Sequence, residues 1–262
     1  METSEPSPQP IPTPPTISGI LVIDKRGGIT SARLVDRVKG ILRRVNGQKN
    51  KVGHAGTLDP FATGILLVLC GRATRLSEAL MDHPKTYIAT INFGATTRTD
   101  DIDSPPEATP GAILPTREQI EAALPRFVGT IMQRPPVFSA LRVGGRRAYE
   151  LARKGRPPEL APRPVLIHSI SLIDTTPASA QIEVTCGRGT YIRALARDLG
   201  ASLGCGGYLS TLRRTSCGGF TQADAKPLEQ ITPDIVLSCL KWSTTISAAS
   251  FAGNSKHMHI DG

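Results

Sequence analysis

The sequence predicts an α+β protein, because strand-like and helix-like segments alternate along the chain without a fixed repeat. Short apolar runs, GILVID from Gly19, ILLVLC from Ile65, TYIATINF from Thr86 and QIEVTC from Gln181, read as strands. Between them lie stretches with apolar residues at helical spacing, the first being Leu34, Val35, Val38, Ile41, Leu42 and Val45. At 262 residues and 27.9 kDa the chain suits one large domain or two small ones, with a substantial core.

Residues 1–17, METSEPSPQPIPTPPTI, carry too little apolar surface to order themselves and are expected to form a disordered leader. After the first strand, Lys25 to Gly28 make a polar turn, and Thr30 or Ser31 can cap the first helix. Arg33, Arg37, Lys39, Arg43 and Arg44 fall largely outside its apolar stripe, and NGQKNK extends the basic character; such residues form either a solvated face or a phosphate-binding one. Next comes VGHAGTLDPFATGILLVLCG from Val52. Asp59 sits there in a tight loop that Gly53, Gly56 and Pro60 shape. Taken alone, the loop reads as an Asx-type turn in which Asp59 bonds its own backbone.

A short helix, ATRLSEALMD, and the Thr86 strand follow, and residues 94–115 form a polar, proline-rich connection. Its Asp100, Asp101 and Asp103 lack the glycine and distal glutamate of a calcium loop and read as a solvated loop. A helix over 116–124 leads to the most basic stretch, 134–163, with eight Lys or Arg against two Glu. Interrupted by glycines and prolines, it reads as a flexible arm that closes on phosphates. VLIHSISLI and QIEVTC are strands, and GRGTYIRALARDLGASLG opens a helix with Ile192, Leu195, Ala196, Leu199 and Leu203 inward. Tyr191 and Arg193 sit in its first turn, where an arginine opposes the helix dipole and needs a carboxylate or phosphate partner instead. GYLSTLRRTSCGGF forms a last strand pair, and 225–262 a short helix with a weakly patterned tail.

A net charge of +9 and a pI near 9.6 point to a polyanionic partner, while 4% aromatics argue against a surface built on base stacking. No run of about 18 apolar residues and no signal-like start is present, so a cytoplasmic protein without membrane contact is expected. Five unclustered cysteines without a C-x-x-C fit reduced thiols. His257 and His259 lack further ligands at workable spacing, and no metal site is expected.

GILVIDKRGGITS, GHAGTLDPFATGILLVLCGRATR, the KTY of Lys85 to Tyr87, VFSALRVGGRRAYELARKG, GRGTYIRALARDLG and LSTLRRT stand in the order found in the TruB family of tRNA pseudouridine synthases. The chain resembles that family over about residues 18–220. The resemblance implies a mixed, largely antiparallel central sheet flanked by helices, in two halves around an RNA-binding cleft. It places the catalytic domain at 18–224, with 134–163 as the RNA-binding arm. It implies that Asp59 is the nucleophile, that Tyr87 stacks on the target uracil and that Arg193 pairs with Asp59. Tyr191 and Leu212 would line the uracil pocket, His54 would help displace the target base, and Lys25 belongs to the motif that supports the catalytic loop. Arg142, Arg146 and Arg147 of the basic arm are expected to hold phosphates.

The implied reaction isomerises uridine to pseudouridine at position 55, in the T-loop of tRNA. It breaks an N–C bond and forms a C–C bond without net redox change or water, so no metal or organic cofactor is implied. A tyrosine face and apolar walls suit retention of the detached uracil. The partner is the T-arm of tRNA, with no obligate protein partner and a monomer as the default. Two departures stand out. Lys25-Arg26 replaces the family's usual Lys-Pro, and about forty residues after Phe220 are too few for the PUA-type domain of many relatives, which disfavours a guide-RNA-directed role. The alternative from another class is a non-catalytic RNA-binding module that assists tRNA folding; it would use the same basic surfaces but have no need for Asp59 and Arg193 together.

Overall fold

Residues 17–240 are described by the computed structural model of the chain; the expected leader up to residue 16, the tail beyond 240 with both of its histidines, and the side chains of 237–240 lie outside the described residues. One ten-stranded mixed sheet organises the rest. Its first part pairs β1 (Gly19–Lys25) and the short β2 (Val52–His54) antiparallel with β3 (Thr63–Cys70), whose residues Ile65 to Cys70 are all buried. The second part contains β4 (Lys85–Phe93), β5 (Gly129–Gln133), β6 (Arg163–Thr176) and β7 (Ser179–Cys186), in the antiparallel order β4-β7-β6-β5.

β8 (Gly207–Cys217) joins the two parts. It runs antiparallel to β4 along its length but meets β3 in parallel at only two positions, Arg213 against Thr63 and Arg214 against Gly64. A bulge between Arg214 and Ser216 bends the strand just there. Phe220–Thr221 folds back on β8, and Lys226–Pro227 pairs in parallel with β1. The sheet is therefore mixed and largely antiparallel, as expected.

Helices cover the sheet. α1 (Ser31–Asn46) starts at Thr30, whose hydroxyl accepts from the Arg33 N–H at 3.1 Å, and ends at Gly47 in the left-handed region. Since Thr30 caps it, Ser31 is free to turn inward. Leu34, Val35, Val38, Ile41 and Leu42 are buried, while Arg33, Arg37, Lys39, Arg43 and Arg44 are exposed. α2 (Ser77–Asp82) is tied to the loop after β7 by Arg188, 2.8 Å from Glu78 and 3.0 Å from Asp82. α3 (Arg117–Ala123) opens with a capping box of Thr116 and Gln119. The basic stretch is more ordered than a jointed arm: a hairpin of Arg142–Val143 and Arg146–Arg147 precedes α4 (Ala148–Arg153), and Ala148, Ala152 and Leu160 are buried. α5 (Ile192–Ser202) buries Ile192, Leu195, Ala196 and Leu199, and α6 (Pro233–Leu240) packs near β1.

The seam between the two parts depends on Gly64. Its φ is +98°, and a Cβ there would stand 2.2 Å from the Arg214 carbonyl oxygen and 2.8 Å from its nitrogen. Backbone strain and backbone collision coincide, so Gly64→Ala is expected to cost about 2–3 kcal/mol in denaturant unfolding. Gly53→Ala is the control: nothing lies within 4 Å of the added carbon, and a change under about 0.5 kcal/mol is expected.

Candidate active site

The loop from β2 to β3 is held from beneath by buried polar groups. Ser31 Oγ both donates to the Leu58 carbonyl and accepts from the Leu58 N–H, each at 3.0 Å. Lys25, 0% exposed, directs Nζ at three carbonyl oxygens: Arg26 at 3.0 Å, Ile29 at 2.8 Å and Pro60 at 3.1 Å. The Gly28 N–H adds a second donor to Pro60 O at 2.9 Å. Burial lowers the Lys25 pKa to about 8, against the opposing charge of Asp59. Lys25 thus braces the loop and does not line the cleft. Arg26, at the position of the family's proline, is exposed and pairs with Glu229 at 3.3 Å; the turn keeps its shape through Lys25.

The Asp59 carboxylate, 30% exposed, does not cap its own backbone. It receives a bidentate pair from Arg193, Nε to Oδ2 at 2.9 Å and Nη2 to Oδ1 at 3.1 Å. Arg193 is 4% exposed, and its remaining donors are also engaged: Nη1 reaches Thr99 O at 2.9 Å and Asp101 Oδ2 at 3.4 Å, and Nη2 reaches Phe138 O at 3.0 Å. Of the two partners expected from the helix-start position of Arg193, a carboxylate or a phosphate, the structure supplies a carboxylate.

The acidic loop around Asp100 departs from the solvated loop expected. Asp101 is 2% exposed and accepts from the Thr99 hydroxyl and the Asp103 N–H. Asp100 takes a left-handed φ of 59° and pairs with Arg197 at 2.9 Å. Burial pushes both carboxyls above the usual range, while Arg197 and Arg193 oppose the shift. The reason is charge pairing: α5 presents two arginines, and the loop folds inward to meet them.

Asp59 and Arg193 open into a cavity of about 440 Å³ also lined by Tyr87, Tyr191, Leu212, Lys85 and Arg214. Burial pushes the Tyr87 hydroxyl up to about 12, with Arg214 opposing, so it keeps its proton at neutral pH. Tyr191 is clamped by Gln133, which accepts from its N–H at 2.9 Å and donates to its carbonyl at 3.1 Å, and the Arg163 guanidinium lies 5.3 Å over its ring. Five of the expected site residues, Asp59, Tyr87, Tyr191, Arg193 and Leu212, thus share one cavity. His54 lies on β2 outside the lining; its Nδ1 is buried with no hydrogen-bond partner among the described residues, and burial, Arg214 and Arg147 lower its pKa. Arg142, Arg146 and Arg147 stand exposed on the hairpin.

Gln133, Lys85 and Arg214 were not anticipated as site residues, and the two cations make the walls less apolar than expected. Strand alternation carries a signal for Arg214, since it shares a face with Leu212. Among the described residues no group of three potential metal ligands occurs, no helix is long and apolar enough to cross a membrane, and Cys70, Cys186, Cys205 and Cys217 are buried and in no disulfide.

The chain matches two family models, that of the TruB family pseudouridylate synthase N-terminal domain over residues 43–192 and that of the tRNA pseudouridylate synthase B C-terminal domain over 193–239. It is 45% identical over 219 residues to a Gluconobacter oxydans protein named tRNA pseudouridine synthase B, covering 83% of this chain and 64% of that one. A protein of the same name from Phocaeicola vulgatus is 44% identical, covering 80% of this chain and 90% of that one. This chain thus spans less than two thirds of the first relative and most of the second. In shape it resembles the solved structure of a Cbf5–Nop10–Gar1 complex, with a TM-score of 0.62 and 28% identity, covering 89% of this chain and 58% of that one.

The buried Tyr87 hydroxyl has a measurable signature. In an alkaline absorbance titration one of the four tyrosines is expected to ionise late, near pH 12, and this phase is absent in Tyr87→Phe. Its folded pKa lies above the reference value of 10.0. The native state therefore keeps a proton that the unfolded state loses, and the stability owed to this group falls as pH rises from 10 towards 12.

Proposed function

The chain belongs to the TruB family of pseudouridylate synthases, and from that premise we propose that it isomerises uridine to pseudouridine at position 55 in the T-loop of tRNA. The observation that carries this reading is the bidentate Asp59–Arg193 pair opening into the cavity beside Tyr87. Asp59, oriented by the two hydrogen bonds from Arg193, attacks C1′ or removes the C2′ proton. On either route the C1′–N1 bond breaks, the uracil turns while bound, and C5 joins C1′ as the Asp59 carboxylate leaves C1′ or hands its proton back to C2′. C5 then gives up its proton and N1 carries one, so atoms and electrons balance.

Tyr87 offers its ring to the uracil, and Tyr191 and Leu212 close the pocket around it. The target nucleotide leaves its stack at a cost of a few kcal/mol, aided by His54. Phosphate contacts from Arg142, Arg146, Arg147 and the basic face of α1 offset that cost. Readout of the folded T-arm by shape suits such a surface. Lys25 acts through the loop that carries Asp59. The enzyme works as a monomer.

Pseudouridine formation in an unmodified tRNA transcript, mapped to the nucleotide, tests the reading. Wild type is expected to convert the T-loop uridine, and Asp59→Asn to give no conversion while binding the transcript within a few-fold of wild type. Retained binding with no conversion by either protein would favour the RNA-folding module. Changing Arg142, Arg146 and Arg147 together to Ala is expected to weaken binding and to flatten the plot of log affinity against log salt, its slope falling by roughly one for each phosphate that an arginine no longer neutralises.

A further inference from the structure

Two buried cations in the cavity wall, Lys85 and Arg214, have no task in the scheme above; Arg163 and Arg188, which also line it, are more exposed. Arg214 is 1% exposed and lies on β8 opposite Tyr87 of β4 and Gly64 of β3, in one rung across the seam. Its Nε donates to Ile65 O at 2.7 Å and its Nη2 to Gly56 O at 3.1 Å, and its charge acts on the neighbouring Tyr87 hydroxyl, opposing the effect of burial there. Lys85, also buried, donates Nζ to the carbonyls of Met81 and His83. Among the described residues neither is in an ion pair; the nearby acid Asp59 is committed to Arg193, and Asp82 to Arg188.

A buried cation held only by neutral oxygens is expensive, and a protein relieves that expense by bringing in an anion. Here the cations face the space the substrate enters. Resting on the isomerase reading, we propose that Arg214, backed by Lys85, receives the negative charge that uracil acquires when its glycosidic bond breaks. The C1′–N1 electron pair departs with the base on both routes open to Asp59, and the charge spreads over N1, O2 and O4. It disappears when C5 bonds to C1′, because the electron pair moves from N1 through the ring into the new bond; loss of the C5 proton and uptake of one at N1 then leave the product neutral.

Uridine is neutral in the ground state and its base is anionic after cleavage, so a fixed cation in the wall acts mainly on the transition state. The placement fits this use. Arg214 touches the hydroxyl end of the ring expected to stack on the uracil, and its carbonyl acceptors lock it before substrate arrives. Gly56, whose carbonyl Arg214 holds, turns through a φ of +92° that favours glycine. Burial is the largest influence on Lys85 and lowers its pKa; an anion in the cavity opposes that shift.

The test varies the leaving group. Single-turnover rates are measured at saturating enzyme on tRNA transcripts carrying uridine or 5-fluorouridine at the target, reading loss of the target nucleoside by digestion and mass spectrometry. Fluorine makes the departing base a weaker base, so it needs less help. Arg214→Gln is expected to lose about 100-fold on uridine but only about 10-fold on 5-fluorouridine. Arg214→Lys and Lys85→Gln are expected to lose less, with the same bias towards uridine. If Arg214→Gln fails to fold in a thermal melt, the other two variants decide by that ratio.

Equal losses on both substrates would overturn the proposal while leaving the isomerase reading intact. A loss confined to tRNA affinity would overturn it as well and make Arg214 a phosphate contact. No conversion of uridine by wild type would remove the isomerase reading and this inference together.

Discussion

The guanidinium of Arg193 fixes the geometry on which the rest of the site depends. It links α5 to the Asp59 loop, to Thr99 and Asp101 of the acidic loop, and to Phe138 at the base of the basic arm. These segments are far apart in sequence and belong to both parts of the sheet. A planar fork with every donor engaged leaves little freedom to its partners, and the Asp59 carboxylate acquires a single orientation. Substituting lysine would keep the charge but lose the fork.

The cations fall into two populations with different physics. Those on α1 and the hairpin are exposed, so salt screens them and each contributes little by itself. Those beneath and beside the cavity, Lys25, Lys85, Arg193 and Arg214, are buried, and salt reaches them poorly. The first population suits the capture of a long polyanion. The second fixes backbone and side chains within a fraction of an ångström, Lys25 through three carbonyls and Arg193 through a carboxylate.

Local rules made much of this legible. Helical spacing marked α1 and α5, apolar runs marked β3, β4 and β7, and an arginine in the first turn of α5 signalled an anionic partner, carboxylate or phosphate. The acidic loop was misread because its burial is decided by Arg193 and Arg197, about a hundred residues further on, and not by its own composition. Lys25 looked like part of a polar turn; the turn's own carbonyls at Arg26 and Ile29 hold its ammonium, and the return of the chain at Pro60 adds the third and helps to bury it. Arg214 was hidden for a related reason. LRRT reads as a basic strand, and which arginine is buried depends on the strands flanking it: Arg213 finds Asp24 near the surface at 2.7 Å, and Arg214 finds Tyr87.

The central position of β8 also bears on how the chain is made. It is the last long strand in sequence, yet it lies between β3 and β4, which are synthesised far earlier. Until β8 emerges from the ribosome, the long edge of β4 has no partner on one side and β3 lacks its neighbour at Thr63 and Gly64. Exposed strand edges invite pairing with other chains. Lateral insertion of β8 closes both edges and delivers Leu212 and Arg214 to the cavity in the same event. A nascent chain released before residue 217 would therefore have an unfinished cavity and open strand edges, which ties quality control of the fold to completion of the site.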